Sequence, residues 1–137
     1  MKGDERFHVI TVDWRNAAAV DWKHFETTYF APAAFTKEKA APAIKNLLIL
    51  LKTLNPVITC IGHSLGAQTC GALGREMKRV DMKIDTIHGL DPAGPCFDKT
   101  NTLLSGCPSD LVDLKNGDAE FVSIIHTNPG HLGSTVS

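Results

Sequence analysis

A serine between two glycines is the first pattern in this sequence that could carry chemistry. Gly62, Ser64 and Gly66 form a Gly-x-Ser-x-Gly motif, which is typical of a sharp strand-to-helix turn that exposes a nucleophilic serine. We expect side chains at both glycine positions to collide with neighbouring backbone. The backbone N–H of Leu65 is the expected first donor to an oxyanion. The motif predicts acyl transfer through Ser64, and the alternative is an N-cap serine between two turn glycines.

A serine nucleophile needs an acid that orients its base, and Asp91 is the best candidate. Asp91 directly follows a predicted strand, at the sheet edge where Ser64 is also expected, and sites in open α/β sheets collect at that edge. The alternative is an ordinary turn residue before Pro92. The competing aspartates lie in less regular sequence; they are Asp98, Asp110, Asp113 and Asp118.

The base is harder to find among six histidines. Five of them lie at or in predicted strands, beside the serine or in irregular sequence; they are His8, His24, His63, His88 and His126. Only His131 lies on a loop after the last predicted strand. It follows that strand too closely to reach back over Ser64, so it is a weak candidate.

The elements that must position these residues alternate between strand and helix. Strands are predicted at Phe7–Asp13, which should be buried, at Val57–Ile61, which should be covered on both faces, at Ile84–Leu90 and at Phe121–Ile125. Such alternation predicts an α/β fold with a mostly parallel sheet and flanking helices.

The helices of this prediction differ in character. Apolar residues at helical spacing predict a helix from near Pro42 to Asn55, with one face formed by Ile44, Leu47, Leu48, Leu51 and Leu54. A second helix after Gly66 carries a strip of small residues, which would let it lie close to the sheet. The stretch from Trp14 to Phe35 has no clear period and is predicted to be loop with at most a short helix.

Composition excludes several classes of protein. The 137 residues include 15 Asp and Glu against 14 Lys and Arg, so no field of one sign attracts nucleic acid. The longest apolar run, Leu47–Leu51, is far short of a membrane-spanning helix. No secretory signal is expected in Met1–Arg6, which is charged.

Four segments of the sequence resemble successive blocks of the pancreatic-type lipase family, which includes triacylglycerol lipases, A1-type phospholipases and insect members. These segments are His8–Trp14, Ile61–Ala67, Gly89–Pro95 and Asp118–Thr127. The resemblance implies an α/β-hydrolase fold with Ser64 as nucleophile and Asp91 as triad acid. It also implies a lipid ester substrate at a lipid–water interface and an extracellular location.

The resemblance also predicts what this chain lacks. Family members carry a His-Gly-Phe or His-Gly-Trp segment upstream of the first block, and their catalytic histidine lies well beyond the His-Thr block. Residues 1–137 are therefore expected to be the central part of a single lipase domain, incomplete at both ends and inactive or nearly so when isolated. The family's calcium loop corresponds to Asp110, Asp113 and Asp118, but Lys115 stands where an acidic ligand is usual, which argues against a bound calcium. No other cofactor is expected.

The surroundings of the four cysteines indicate which of them could form a disulfide. Cys60 and Cys70 are expected to be buried free thiols. Cys96 and Cys107 flank a short polar loop and could pair in a secreted protein. Four cysteines allow three full pairings, so the sequence does not decide between them.

Two other functions stay open at this stage. One is an inactive lipid-binding or storage protein of the same fold, although the presence of both Ser64 and Asp91 counts against it. The other is a short intracellular protein that keeps half the fold and has a native mass near 14.8 kDa.

Overall fold

Three parallel strands form the sheet that carries the candidate site. The computed structural model describes residues 8–100, 103–127 and 132–134. In these residues, the strands β1 (Thr59–His63), β2 (Thr86–Leu90) and β3 (Phe121–Ile125) pair in the order β1-β2-β3. Their last residues lie side by side, since His63 pairs with Leu90 and Leu90 with Ile125. The predicted α/β class and parallel sheet are confirmed.

Helices begin earlier in the chain than the sequence predicts. They are α1 (Phe25–Thr28), α2 (Phe30–Phe35), α3 (Ala41–Leu50) and α4 (Leu65–Lys78), with 3₁₀ turns at Trp22–His24 and Lys52–Leu54 and a π-helical turn at Thr36–Ala40. The expectation of loop from Trp14 to Phe35 is therefore wrong over its second half. That segment becomes helical because Tyr29 and Ala33 are buried in a second apolar cluster with Phe97 and Leu111. None of the described helices is both long and apolar enough to cross a bilayer.

Helix α3 follows its predicted pattern in part. Pro42 lies in its first turn, where a missing N–H costs nothing. Leu48 is buried, and Ile44 and Leu51 pack against the core. Leu47 and Leu54, by contrast, are 41% and 73% exposed. The chain then leaves the helical region at Asn55, which has a left-handed backbone with φ 47°.

Helix α4 lies on the sheet and is the most buried element. Ala67, Cys70, Leu73 and Met77 join Ile87 of β2 in the main core. The small-residue strip of α4 also lies against another part of the chain. A Cβ at Gly74 would lie 1.9 Å from the carbonyl oxygen of Asp118. The helix therefore also packs directly against the loop before β3.

The predicted strand Phe7–Asp13 does not form among the described residues. Residues 8–13 have no regular secondary structure, are exposed and pair with no described strand, and Val9 is 88% exposed. Phe7 lies outside the described residues. The segment is not paired with β1 or β3, although these are the edge strands of the described sheet, and β propensity alone does not form a strand without such pairing. The structure thus has three of the four predicted strands.

One face of the sheet is uncovered in the described part of the chain, so the prediction of a strand covered on both faces is also wrong. Ile61 on β1 is 67% exposed, and Phe121 and Ile125 on β3 are 58% and 51% exposed. The register places these side chains on the face opposite Cys60 and Ile87, which point towards α4.

The four cysteines form two disulfide bonds. Cys60 on β1 is bonded to Cys70 on α4, and Cys96 is bonded to Cys107. The expectation of free thiols at Cys60 and Cys70 is therefore wrong. The Cα atoms of Cys60 and Cys70 are 5.9 Å apart, a normal disulfide separation, which the close approach of α4 to the sheet makes possible.

Candidate active site

Ser64 occupies a strained turn between β1 and α4. Its backbone has φ 53° and ψ −119°, a combination that non-glycine residues rarely adopt. The Ser64 N–H donates to the carbonyl of Leu90 at 2.9 Å, and its own carbonyl accepts from the N–H of Ala67 at 3.0 Å. The turn is thus held from the sheet on one side and from the helix on the other.

The two glycines of the motif play different parts. A Cβ at Gly62 would lie 2.3 Å from the backbone carbonyl of Gly66, so the expected collision is real at this position. A Cβ at Gly66 would meet no described atom within 4 Å. The expected collision at Gly66 is therefore not found, and the turn depends sterically on Gly62.

Asp91 lies one strand away from Ser64 at the same edge of the sheet. Ser64 follows His63, Asp91 follows Leu90, and these two strand ends are register partners. Like Ser64, Asp91 has a positive φ, of 42°. Its N–H donates to the carbonyl of Ile125 at 2.8 Å, so Asp91 continues the pairing of β2 with β3.

The carboxylate of Asp91 is held by Thr127. The Thr127 N–H donates to Oδ1 of Asp91 at 2.5 Å, and the Thr127 hydroxyl donates to Oδ2. Thr127 is a residue that the sequence interpretation did not single out. Its place two residues after β3, at the edge that also carries Asp91, is the signal that could have identified it.

The structure brings no base to the serine among the described residues. His24 is bonded to Asp21, and no hydrogen bond within the described residues joins Ser64 to a histidine. His126 follows β3, and its Nδ1 is buried with no hydrogen-bond partner in the described part of the chain. The weak candidate His131 lies outside the described residues.

Leu65 places its backbone N–H at the start of α4. The first N–H groups of a helix have no acceptor inside it, so they can bind an oxygen anion.

The Leu65 side chain packs on the second apolar cluster, which contains Tyr29 and Phe97. Burial raises the pKa of the Tyr29 hydroxyl, which has no hydrogen-bond partner among the described residues.

The three aspartates that resemble a calcium loop do not form one site. Asp110 pairs with Lys37, and Asp118 pairs with the Arg75 guanidinium. Asp113 accepts from the Gln68 amide and from the Ser134 hydroxyl, each at 2.5 Å. Burial raises the pKa of both Asp113 and Asp118.

The positively charged side chains of Arg75 and Lys78 lie where the resemblance would place calcium. Arg75 donates to Asp118 and also to the carbonyl of Val112 at 3.0 Å, while Lys78 donates to the carbonyl of Gly117. These oxygens already accept hydrogen bonds from Arg75 and Lys78, so the residues present do not fit a bound calcium ion.

Gln68 is a second residue that the sequence interpretation missed. It is fully buried, and its amide nitrogen donates to the carbonyl of Ala93 at 2.7 Å while its oxygen accepts from the N–H of Leu114 at 2.8 Å. Gln68 thereby ties the first turn of α4 to the segment after Asp91. A lone glutamine among small residues was its only signal in the sequence.

Comparison with known proteins points to one family. A family model described as Lipase matches residues 1–136. Phospholipase A1 of Polybia paulista is 36% identical over 131 residues, which cover 90% of this chain and 38% of that protein. Phospholipase A1 2 of Dolichovespula maculata is 38% identical over 134 residues, which cover 92% of this chain and 41% of that protein.

A vertebrate protein is also similar. Pancreatic lipase-related protein 2 of Mus musculus is 36% identical over 117 residues, covering 82% of this chain and 22% of that protein. The chain therefore spans about two fifths of the length of the two phospholipases and less of the mouse protein.

Proposed function

This chain belongs to the lipase family, and on that premise we propose that it supplies the nucleophile and the acid of a carboxylic ester hydrolase that acts on lipids. One observation carries the proposal. Ser64 and Asp91 directly follow register-paired strand ends, and both have a positive φ, which non-glycine residues rarely adopt. Strain of this kind collects at functional sites.

The proposed reaction has two halves. The Ser64 hydroxyl attacks the ester carbonyl carbon, a histidine takes its proton, and Asp91 orients that histidine. The N–H of Leu65 stabilises the oxyanion. The alcohol leaves with the proton from the histidine, and water then releases the fatty acid from Ser64.

We place the histidine in the remainder of the parent protein. No described histidine hydrogen-bonds Ser64, and the chain spans about two fifths of the phospholipases that it resembles. On this proposal, residues 1–137 are the central part of one lipase domain and are inactive alone. The substrate is a phospholipid or triacylglycerol at a lipid–water interface.

An extracellular location is part of the same proposal. Two disulfides close within the described residues, Cys60–Cys70 and Cys96–Cys107. Disulfides persist mainly in oxidising compartments, which supports a secreted protein.

The test is hydrolysis by the full-length parent protein. We expect wild-type protein to release fatty acid from phosphatidylcholine vesicles or a triacylglycerol emulsion, and Ser64→Ala to lower kcat by at least about a thousandfold. Ser105→Ala is the matched control, because Ser105 is exposed on a loop. Lipid binding by the wild-type protein without hydrolysis would support the storage protein instead.

A further inference from the structure

Thr127 holds both carboxylate oxygens of Asp91. Its N–H and its hydroxyl donate to different oxygens of the same group, so Thr127 holds both oxygens of the carboxylate. The Asp91 backbone is fixed by the same stretch of chain, through the bond from its N–H to the carbonyl of Ile125. Both the main chain and the side chain of Asp91 thus depend on the end of β3.

We propose that Thr127 is a positioning residue for Asp91, and that its hydroxyl sets the orientation in which the carboxylate meets the catalytic histidine. This inference rests on the proposed function, because it gives Thr127 a role only if Asp91 is the triad acid. Thr127 acts through Asp91 and need not touch the substrate.

The physical reason is the geometry of a carboxylate. Rotation about its terminal torsion is broad, so an acid with one donor can turn away from an imidazole. Hydrogen bonds to an ionised carboxylate are about twice as strong as neutral ones, and two of them from one residue, one to each oxygen, restrict this rotation. Each oxygen can still accept from an imidazole N–H, because a carboxylate has about four lone-pair sites.

The structure also offers a matched control. Thr100 donates its N–H and hydroxyl to Oδ1 of Asp98, at 2.8 Å and 2.7 Å. The chemistry is the same, a threonine on an aspartate carboxylate, but Asp98 has no part in the proposed reaction. The effect of losing the hydroxyl can therefore be compared at two aspartates.

The experiment measures kcat, KM and the melting temperature of the full-length parent protein. Thr127→Val removes the hydroxyl and keeps the N–H, and we expect kcat to fall about tenfold or more with KM nearly unchanged. Thr127→Ser should restore most of kcat, and Thr100→Val should leave it unchanged. Thr127→Ser with a kcat as low as that of Thr127→Val would overturn the proposal even if valine disturbs folding.

A double-mutant comparison separates this inference from the function on which it rests. Asp91→Asn should lower kcat far more than Thr127→Val, and the double variant should be no worse than Asp91→Asn alone, since Thr127 acts through Asp91. Additive losses would contradict the positioning role. Full activity in Asp91→Asn would overturn the assignment of the acid itself, whereas an inactive Asp91→Asn beside a fully active Thr127→Val would overturn only the role of Thr127.

Discussion

Ser64 and Asp91 both have a positive φ, but only the sequence around Ser64 predicts it. The glycine spacing around Ser64 predicts its sharp turn, and the turn is found with φ 53°. Asp91 has φ 42°, but aspartate before proline is common in ordinary turns. The sequence therefore predicts that both residues lie at the same edge of the sheet. The positive φ of Asp91 and its hydrogen bonds to Thr127 depend on the pairing of β2 with β3, which the sequence around Asp91 does not predict.

The unequal glycines of the motif give a prediction at this scale. Gly62→Ala places a Cβ 2.3 Å from the Gly66 carbonyl, so the turn must open, and we expect a loss of about 3 kcal/mol or more in the free energy of unfolding. Gly66→Ala meets open space within a helix and should leave that free energy within about 1 kcal/mol of wild type. Denaturant unfolding of the two variants measures the difference, and equal losses would show that the turn does not depend on Gly62.

Helix α4 is the element that organises the site. Its first residue follows Ser64, its Gln68 holds the segment after Asp91, and its Arg75 holds the loop before β3. The sequence predicts the small-residue strip, but only as a surface that lets α4 lie close to the sheet. The partner loop has no periodicity from which its packing on Gly74 could be predicted.

An ion pair between α3 and α4 gives a pH-dependent prediction. Lys45 donates to Glu76 at 2.8 Å, and this bond, with help from Arg79, holds the pKa of Glu76 below its usual value. A lowered pKa stabilises the fold above the carboxyl's ordinary pKa, and this contribution disappears as pH falls through the lowered value. Glu76→Gln should therefore lower the melting temperature near pH 7 by an amount that vanishes in acid.

The magnitude and control for this pair follow from its exposure. Glu76 is 14% exposed and Lys45 19% exposed, so we expect about 1 kcal/mol at neutral pH. Glu38→Gln is the control, because Glu38 is exposed on the π-helical turn before α3. Melting curves of Glu76→Gln that run parallel to wild type from neutral to acidic pH would contradict the assignment.

Elements that bury one face were the ones that sequence could predict. The strands β2 and β3 and the helix α3 lie close to their expected positions because their periodicity follows the core. The segment 8–13 and the pairing of Cys60 with Cys70 were not predictable in this way. Each depends on which distant element lies beside it, and no local pattern encodes that.

In the described part of the chain, one face of the sheet exposes apolar side chains that further chain elements could cover. Ile61, Phe121 and Ile125 are more than half exposed on one sheet face, which is a costly arrangement for strand residues. Together with the two-fifths coverage of the phospholipases, this supports the proposal that the parent protein supplies further elements against that face.

Covalent labelling by a serine-directed phosphonate tests the central claim most directly, because it reports the nucleophile by its reactivity. In the full-length parent protein, we predict rapid modification of Ser64, mapped by peptide mass spectrometry, and strong slowing of the reaction in Asp91→Asn. The isolated 137-residue chain should react slowly or not at all. Modification of another residue, or an unreactive Ser64 in a parent protein that hydrolyses lipid, would contradict the account.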